Sequence, residues 1–146
     1  MTQVAQVLNA KPDHYVFTIA ESASVYDAIK LMAEKGIGAL IVMRHDEVVG
    51  IVTERDYARK IVLKDRSSKT TQVSEIMSRG VRYVQREQTS QDCMAIMTEH
   101  RLRHLPVIEK GRLIGMISIG DLVKDIISEQ EFTIQQLEHY ITGARS

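Results

Sequence analysis

Apolar positions along this chain change period from helical to strand-like, and the whole series of changes occurs twice. Val25, Ala28, Ile29 and Met32 recur at helical spacing, which predicts an amphipathic helix over about residues 25–35. Residues 39–43 form an unbroken apolar run short enough for a buried strand, 44–47 a polar turn and 48–53 a second strand. Tyr57, Ala58, Ile61 and Val62 then mark the apolar side of a second helix over 54–63. The series returns as a helix over 90–101, strands over 104–108 and 112–118 with Gly111 in the turn between them, and a closing helix that begins near Gly120. A short strand is expected before each copy, at 15–19 and 81–84.

The two series align without an insertion. An offset of 65 residues pairs Asp27 with Asp92, Met32 with Met97, Gly50 with Gly115, Asp56 with Asp121 and Ile61 with Ile126. Chance seldom aligns glycines, acids and the apolar pattern together, so the chain reads as two copies of one β-α-β-β-α unit. A unit of about 50 residues exposes too much surface to be stable alone, whereas two can bury a common sheet face. The expected class is α/β (α+β), with the two repeats related by a pseudo-twofold axis and a cleft on each side. Residues 1–65 are read as the first repeat with an N-terminal helix over 2–10, on which Val4, Val7 and Leu8 face inward. Residues 66–80 are a linker with a helical turn at 73–77, 81–130 the second repeat, and 131–146 a C-terminal helix and tail. The helix over 129–142 carries Phe132, Leu137, Tyr140 and Ile141, and is expected to pack on the module or on a second subunit.

Composition narrows the function. The net charge is zero, so the broad basic surface of a nucleic-acid or membrane binder is absent. No apolar run approaches the ~20 residues of a membrane helix, and the N-terminus lacks a signal-peptide layout, so a cytoplasmic protein is expected. Cys93 is the single cysteine and sits among Met94, Ile96 and Met97, which suggests a buried thiol rather than a reactive one. His100 and His104 are four apart, but the helix should end near Arg101, which would make them diverge, and no carboxylate or thiol completes a metal set.

The chemistry-bearing positions are the ends of the second strands, Gly50-Ile-Val-Thr53-Glu-Arg-Asp56 and Gly115-Met-Ile-Ser118-Ile-Gly-Asp121. A hydroxyl ends each strand and an aspartate follows three residues later at a helix start. That arrangement serves helix capping on its own. It also suits a ligand, because a helix N-terminus attracts phosphate and a carboxylate accepts hydrogen bonds from two vicinal ribose hydroxyls.

These motifs, GIVTERD at 50–56, GMISIGD at 115–121 and HLPVIEKGRLIG at 104–115, resemble a tandem pair of CBS domains, also called a Bateman module. The resemblance covers about residues 10–130 and extends to small bacterial proteins that are little more than one such pair. It implies a regulatory module without catalytic activity that binds AMP, ADP, ATP, NAD(H) or S-adenosylmethionine. Asp56 and Asp121 would hold ribose hydroxyls, with Thr53 and Ser118 near ribose or phosphate. Thr18, Ile19, Ile37, Gly38, Ala39, Val84, Leu105 and Pro106 would sandwich adenine. Arg103 and His104 would reach toward phosphate, with Arg55 and Arg59 as further cations beside the first copy. The first copy has Gly38-Ala39 where the second has Arg103-His104, so the clefts are expected to differ in charge and room. The resemblance also implies a disc-like homodimer and a downstream protein partner.

Two other classes stand beside the regulatory one. A nucleotide-processing enzyme lacks a P-loop, a Gly-x-Ser-x-Gly elbow and a complete metal set. A dimerisation scaffold with vestigial clefts would be indifferent to every nucleotide.

Overall fold

A computed structural model of the protein describes residues 2–12 and 16–143. Helix α1 spans Val4–Ala10, β1 Thr18–Ala20, α2 Val25–Lys35, β2 Ala39–Arg44, β3 Glu47–Thr53 and α3 Glu54–Tyr57. Helix α4 follows at Ser90–His100, then β4 at His104–Glu109, β5 at Arg112–Ser118 and α5 at Ile119–Gly143. A π-helical segment, Ala58–Val62, continues α3, and a 3₁₀ turn covers Val73–Glu75.

The chain divides into two compact units, one made of Met1–Asp13, Val84–Leu105 and Met116–Ser146, the other of His14–Tyr83 and Pro106–Gly115. In the second of these, β1 runs parallel to β2 and β2 antiparallel to β3, so β2 is the central strand. Leu40, Ile41 and Val42 on β2 are fully buried, which is why this strand is a continuous apolar run. Val25, Ala28 and Met32 of α2 pack into the same core with Val52, Ile61, Val73 and Ile76. Helix α2 begins at a Ser24 cap that accepts from the Asp27 N–H and ends at left-handed Gly36. Gly50 on β3 is obligatory by contact: a Cβ there would stand 2.7 Å from Met77 Sδ and 2.9 Å from the Ser78 carbonyl.

The other unit is built on α1, α4 and α5. Val4 and Val7 of α1 are buried, while Leu8 is half-buried. The Val4 and Ala5 N–H groups donate to the carbonyls of Gln88 and Arg86, which joins α1 to the segment before α4. Cys93 and Met97 of α4, Leu105, Ile117 and Leu122 are buried. Burial pushes the Cys93 thiol up to about 11, with the charge of Asp92 adding to it. Helix α4 ends at His100, with Arg101 in a left-handed conformation as its cap, and His104 starts β4.

Several expected elements differ. The helix expected over 54–63 is α only to Tyr57 and then widens to π, with the Leu63 N–H donating to the Ala58 carbonyl. The strand expected at 81–84 is reduced, among the described residues, to a bridge at Val84. The closing helix and the C-terminal helix are one element, α5, because no glycine or proline interrupts the chain between Asp121 and Thr142. The strand expected from residue 15 begins at Thr18, and residue 15 lies outside the described residues.

Candidate functional site

In the first repeat, the start of β2 and the end of β3 lie side by side. Ala39 is the register partner of Thr53, and the Glu54 N–H donates to the Gly38 carbonyl at 3.1 Å. Asp56 and Thr53 cap each other. Asp56 Oδ2 accepts from the Thr53 N–H at 3.0 Å and from its hydroxyl at 3.1 Å, while Thr53 Oγ1 accepts from the Asp56 N–H at 3.1 Å. Lys60, one turn on, places Nζ 3.2 Å from Asp56 Oδ1 and donates to the Ile76 carbonyl. The geometry therefore gathers Gly38, Ala39, Thr53 and Asp56, while Ile37 packs against the core, and it adds Lys60, which sequence reasoning missed although its i,i+4 spacing from Asp56 signals it. Thr18 and Ile19 pair with Ile41 and Val42, further along β2. Arg55 and Arg59 are exposed. The Glu54 carboxyl carbon lies 3.8 Å from where a Gly38 Cβ would stand, so this site carries two carboxylates and one paired lysine.

The second repeat rebuilds the frame with other charges. The Ile119 N–H donates to the Arg103 carbonyl at 2.9 Å, which matches the Glu54–Gly38 bond. Asp121 Oδ2 accepts from the Ser118 N–H at 2.8 Å, and Ser118 Oγ accepts from the Asp121 N–H at 3.1 Å. Lys11, just past α1, brings Nζ to 3.0 Å from the same Oδ2 and donates to the Met116 carbonyl at 2.8 Å. Burial raises the Asp121 carboxyl, but the Ser118 N–H and the Lys11 ammonium outweigh it and hold the group below its ordinary value. His104 is half-buried; burial lowers its pKa, Lys11 and Arg103 lower it further, and Asp121 opposes them. Arg103 is exposed, Leu105 and Val84 are buried, and Pro106 groups with the other unit. Lys11 is the second residue missed, and no local signal marks it, because its partner lies at the far end of the sequence.

Chemically, each site offers a carboxylate with ordered neighbours, a hydroxyl at a helix start and main-chain groups of a strand edge. The second adds the cations Lys11 and Arg103 and the imidazole of His104, a setting for an anion. Among the described residues no cluster of three metal-ligating side chains occurs, and no helix is long and apolar enough to cross a membrane.

A strand–helix junction with a hydroxyl and an aspartate, occurring twice, defines a class of paired α/β repeats. The chain belongs to the CBS-domain family, whose model matches residues 4–63 and 73–128. A CBS-domain protein from Burkholderia ambifaria MC40-6 shares 62% identity with it at a TM-score of 0.84, over 88% of this chain and 96% of that one. A CBS-domain-containing protein from Agrobacterium tumefaciens shares 38% at 0.79, over 85% and 98%. A hexameric CBS-CP12 protein from bloom-forming cyanobacteria shares 30% at 0.74, over 100% of this chain and 89% of that one. The mitochondrial CBS-domain-containing protein CBSX3 of Arabidopsis thaliana is 43% identical over 125 residues, 82% of this chain and 61% of the relative. The chain thus spans less than two thirds of that protein, and about a fifth of other plant relatives. It is a tandem CBS pair, and such pairs are generally regulatory, ligand-binding modules.

Proposed function

We propose that this CBS pair senses cellular energy or redox state by binding adenosine-containing ligands, AMP, ADP, ATP or NAD(H), and passes the signal to a protein partner without catalysing a reaction. The observation that carries this reading is the repeated capping pair, Thr53/Asp56 and Ser118/Asp121, each at the junction of a strand and a helix. The aspartates cap the helix when no ligand is bound and offer acceptors to ribose hydroxyls when one is. The unequal charges support unequal roles. The second site, with Lys11, Arg103 and His104, suits a phosphate-bearing ligand. The first, where Glu54 faces Gly38, suits a less anionic one. The module works in the cytoplasm as a homodimer, and ligand shifts it between states only through its differential affinity for them.

The test is thermal melting with AMP, ADP, ATP, NAD(H) and S-adenosylmethionine, backed by calorimetry. At least one adenosine ligand should raise the melting temperature, and Asp56→Ala and Asp121→Ala should reduce that rise. No shift and no heat with any of them would overturn the reading in favour of a structural dimerisation scaffold. A response to S-adenosylmethionine alone would redirect it to that ligand.

A further inference from the structure

We propose that the C-terminal part of α5 is a self-association element, which pairs with the same helix of a second copy as a parallel, in-register coiled coil. Val123, Ile127, Gln130, Ile134, Leu137 and Ile141 follow one another at spacings of 4, 3, 4, 3 and 4 residues, the heptad alternation of a coiled-coil seam. Ile127, Ile134 and Ile141 fall on one seam position and Val123, Gln130 and Leu137 on the other; isoleucine at the first with leucine at the second, as at Ile134 and Leu137, is the choice that favours two parallel strands. All six are exposed; the five apolar ones range from 45% at Val123 to 69% at Ile141. Leu122, by contrast, is buried at the start of the same helix. The helix therefore has one face committed to its own unit near its start and a different face uncovered along its length.

Three features select a second copy as the occupant. The stripe runs about 27 Å at a rise of about 1.5 Å per residue, and a straight, narrow stripe of this period is matched by a helix with the same period. Gln130 interrupts the apolar seam. In the parallel, in-register pairing its amide meets the amide of the other Gln130 and both are satisfied, whereas in an antiparallel pairing it would face an isoleucine and lose a hydrogen bond. The flanking positions are compatible as well: Glu131 and Glu138 lie on one flank, and Ile126, Thr133 and Tyr140 on the other, so parallel pairing sets no acid against an acid. A membrane surface fits poorly, because the segment 123–141 carries Asp125, Glu129, Glu131 and Glu138 against Lys124 as its one lysine or arginine. This surface is independent of the nucleotide sites.

Disulfide trapping in the full-length chain tests it. Cys93 is fully buried with a raised pKa and stays silent under mild oxidation. Gln130→Cys should cross-link into a dimer, and Phe132→Cys, on the opposite face of the helix, should not. In parallel, sedimentation of the double variant Ile134→Glu/Leu137→Glu should show self-association weakened by about tenfold or more, because the seam would bury unpaired charge, with thermal melting of the module unchanged. A Gln130→Cys variant that stays monomeric, or that cross-links no faster than Phe132→Cys, overturns the proposal. So does an unchanged self-association constant in the double variant.

Discussion

Lys11 Nζ lies 3.0 Å from Asp121 Oδ2, which ties the segment after α1 to the first turn of α5 and fixes the charge at the second site. Both side chains are about four-fifths buried, so the pair is less screened than a surface ion pair. Lys11→Met keeps the apolar stem and removes the charge, and should cost about 1 kcal/mol at neutral pH. Asp121 has a folded pKa below its unfolded value of about 3.9. Its contribution is therefore complete above that value and is lost as pH falls through the lower folded one. Urea denaturation at pH 7 and pH 3 should show the gap between wild type and Lys11→Met narrowing at the acid end.

His104 gives a second pH signature, of opposite origin. Burial and the neighbouring cations Lys11 and Arg103 disfavour its protonated form in the folded state. The unfolded chain then binds the extra proton first, below about pH 6.5, so stability falls as pH drops through that value and levels off below the folded pKa. Denaturation midpoints from pH 8 to 5 should follow that slope, and His104→Gln should flatten it.

Gly50 separates close packing from conformational freedom. The Ser78 carbonyl that a Cβ would meet is main chain and is held by the reciprocal Ile51–Ser78 hydrogen bonds, so it cannot give way cheaply. Gly50→Ala should cost about 2 kcal/mol. Gly80→Ala, which meets nothing within 4 Å, is the control and should be near neutral. Chemical denaturation of both variants decides it.

The repeat itself suggests a stabilising change. Gly36 and Arg101 occupy equivalent helix caps, each left-handed, at φ 65° and 55°. Each donates its N–H to a carbonyl in the last turn, Met32 and Met97. Glycine adopts this conformation without a Cβ penalty and arginine does not. Arg101→Gly should therefore raise stability by about 0.5–1 kcal/mol, read from the melting curve.

Much of the fold was legible because it is local. Helix α2 and strands β2, β3, β4 and β5 follow apolar periodicity within a residue of their bounds, and the caps at Thr53 and Ser118 follow from hydroxyl–acid spacing. The widening at Ala58–Val62 was not legible, since a bond from Leu63 to Ala58 leaves the apolar pattern of an ordinary helix almost intact. The union of two expected helices into α5 could have been read from the missing breakers between them.

The sequence by itself determined the duplication, the order of elements and the matched pairs Thr53/Asp56 and Ser118/Asp121, because these depend on side chains a few residues apart. Only tertiary structure decided which cation meets Asp121. Lys60 reaches Asp56 from the next turn, whereas Lys11 reaches Asp121 because α1 is carried by main-chain bonds to Arg86 and Gln88, within the unit that holds the second repeat's helices. A long, flexible lysine has many possible partners along a chain, and packing alone selects one.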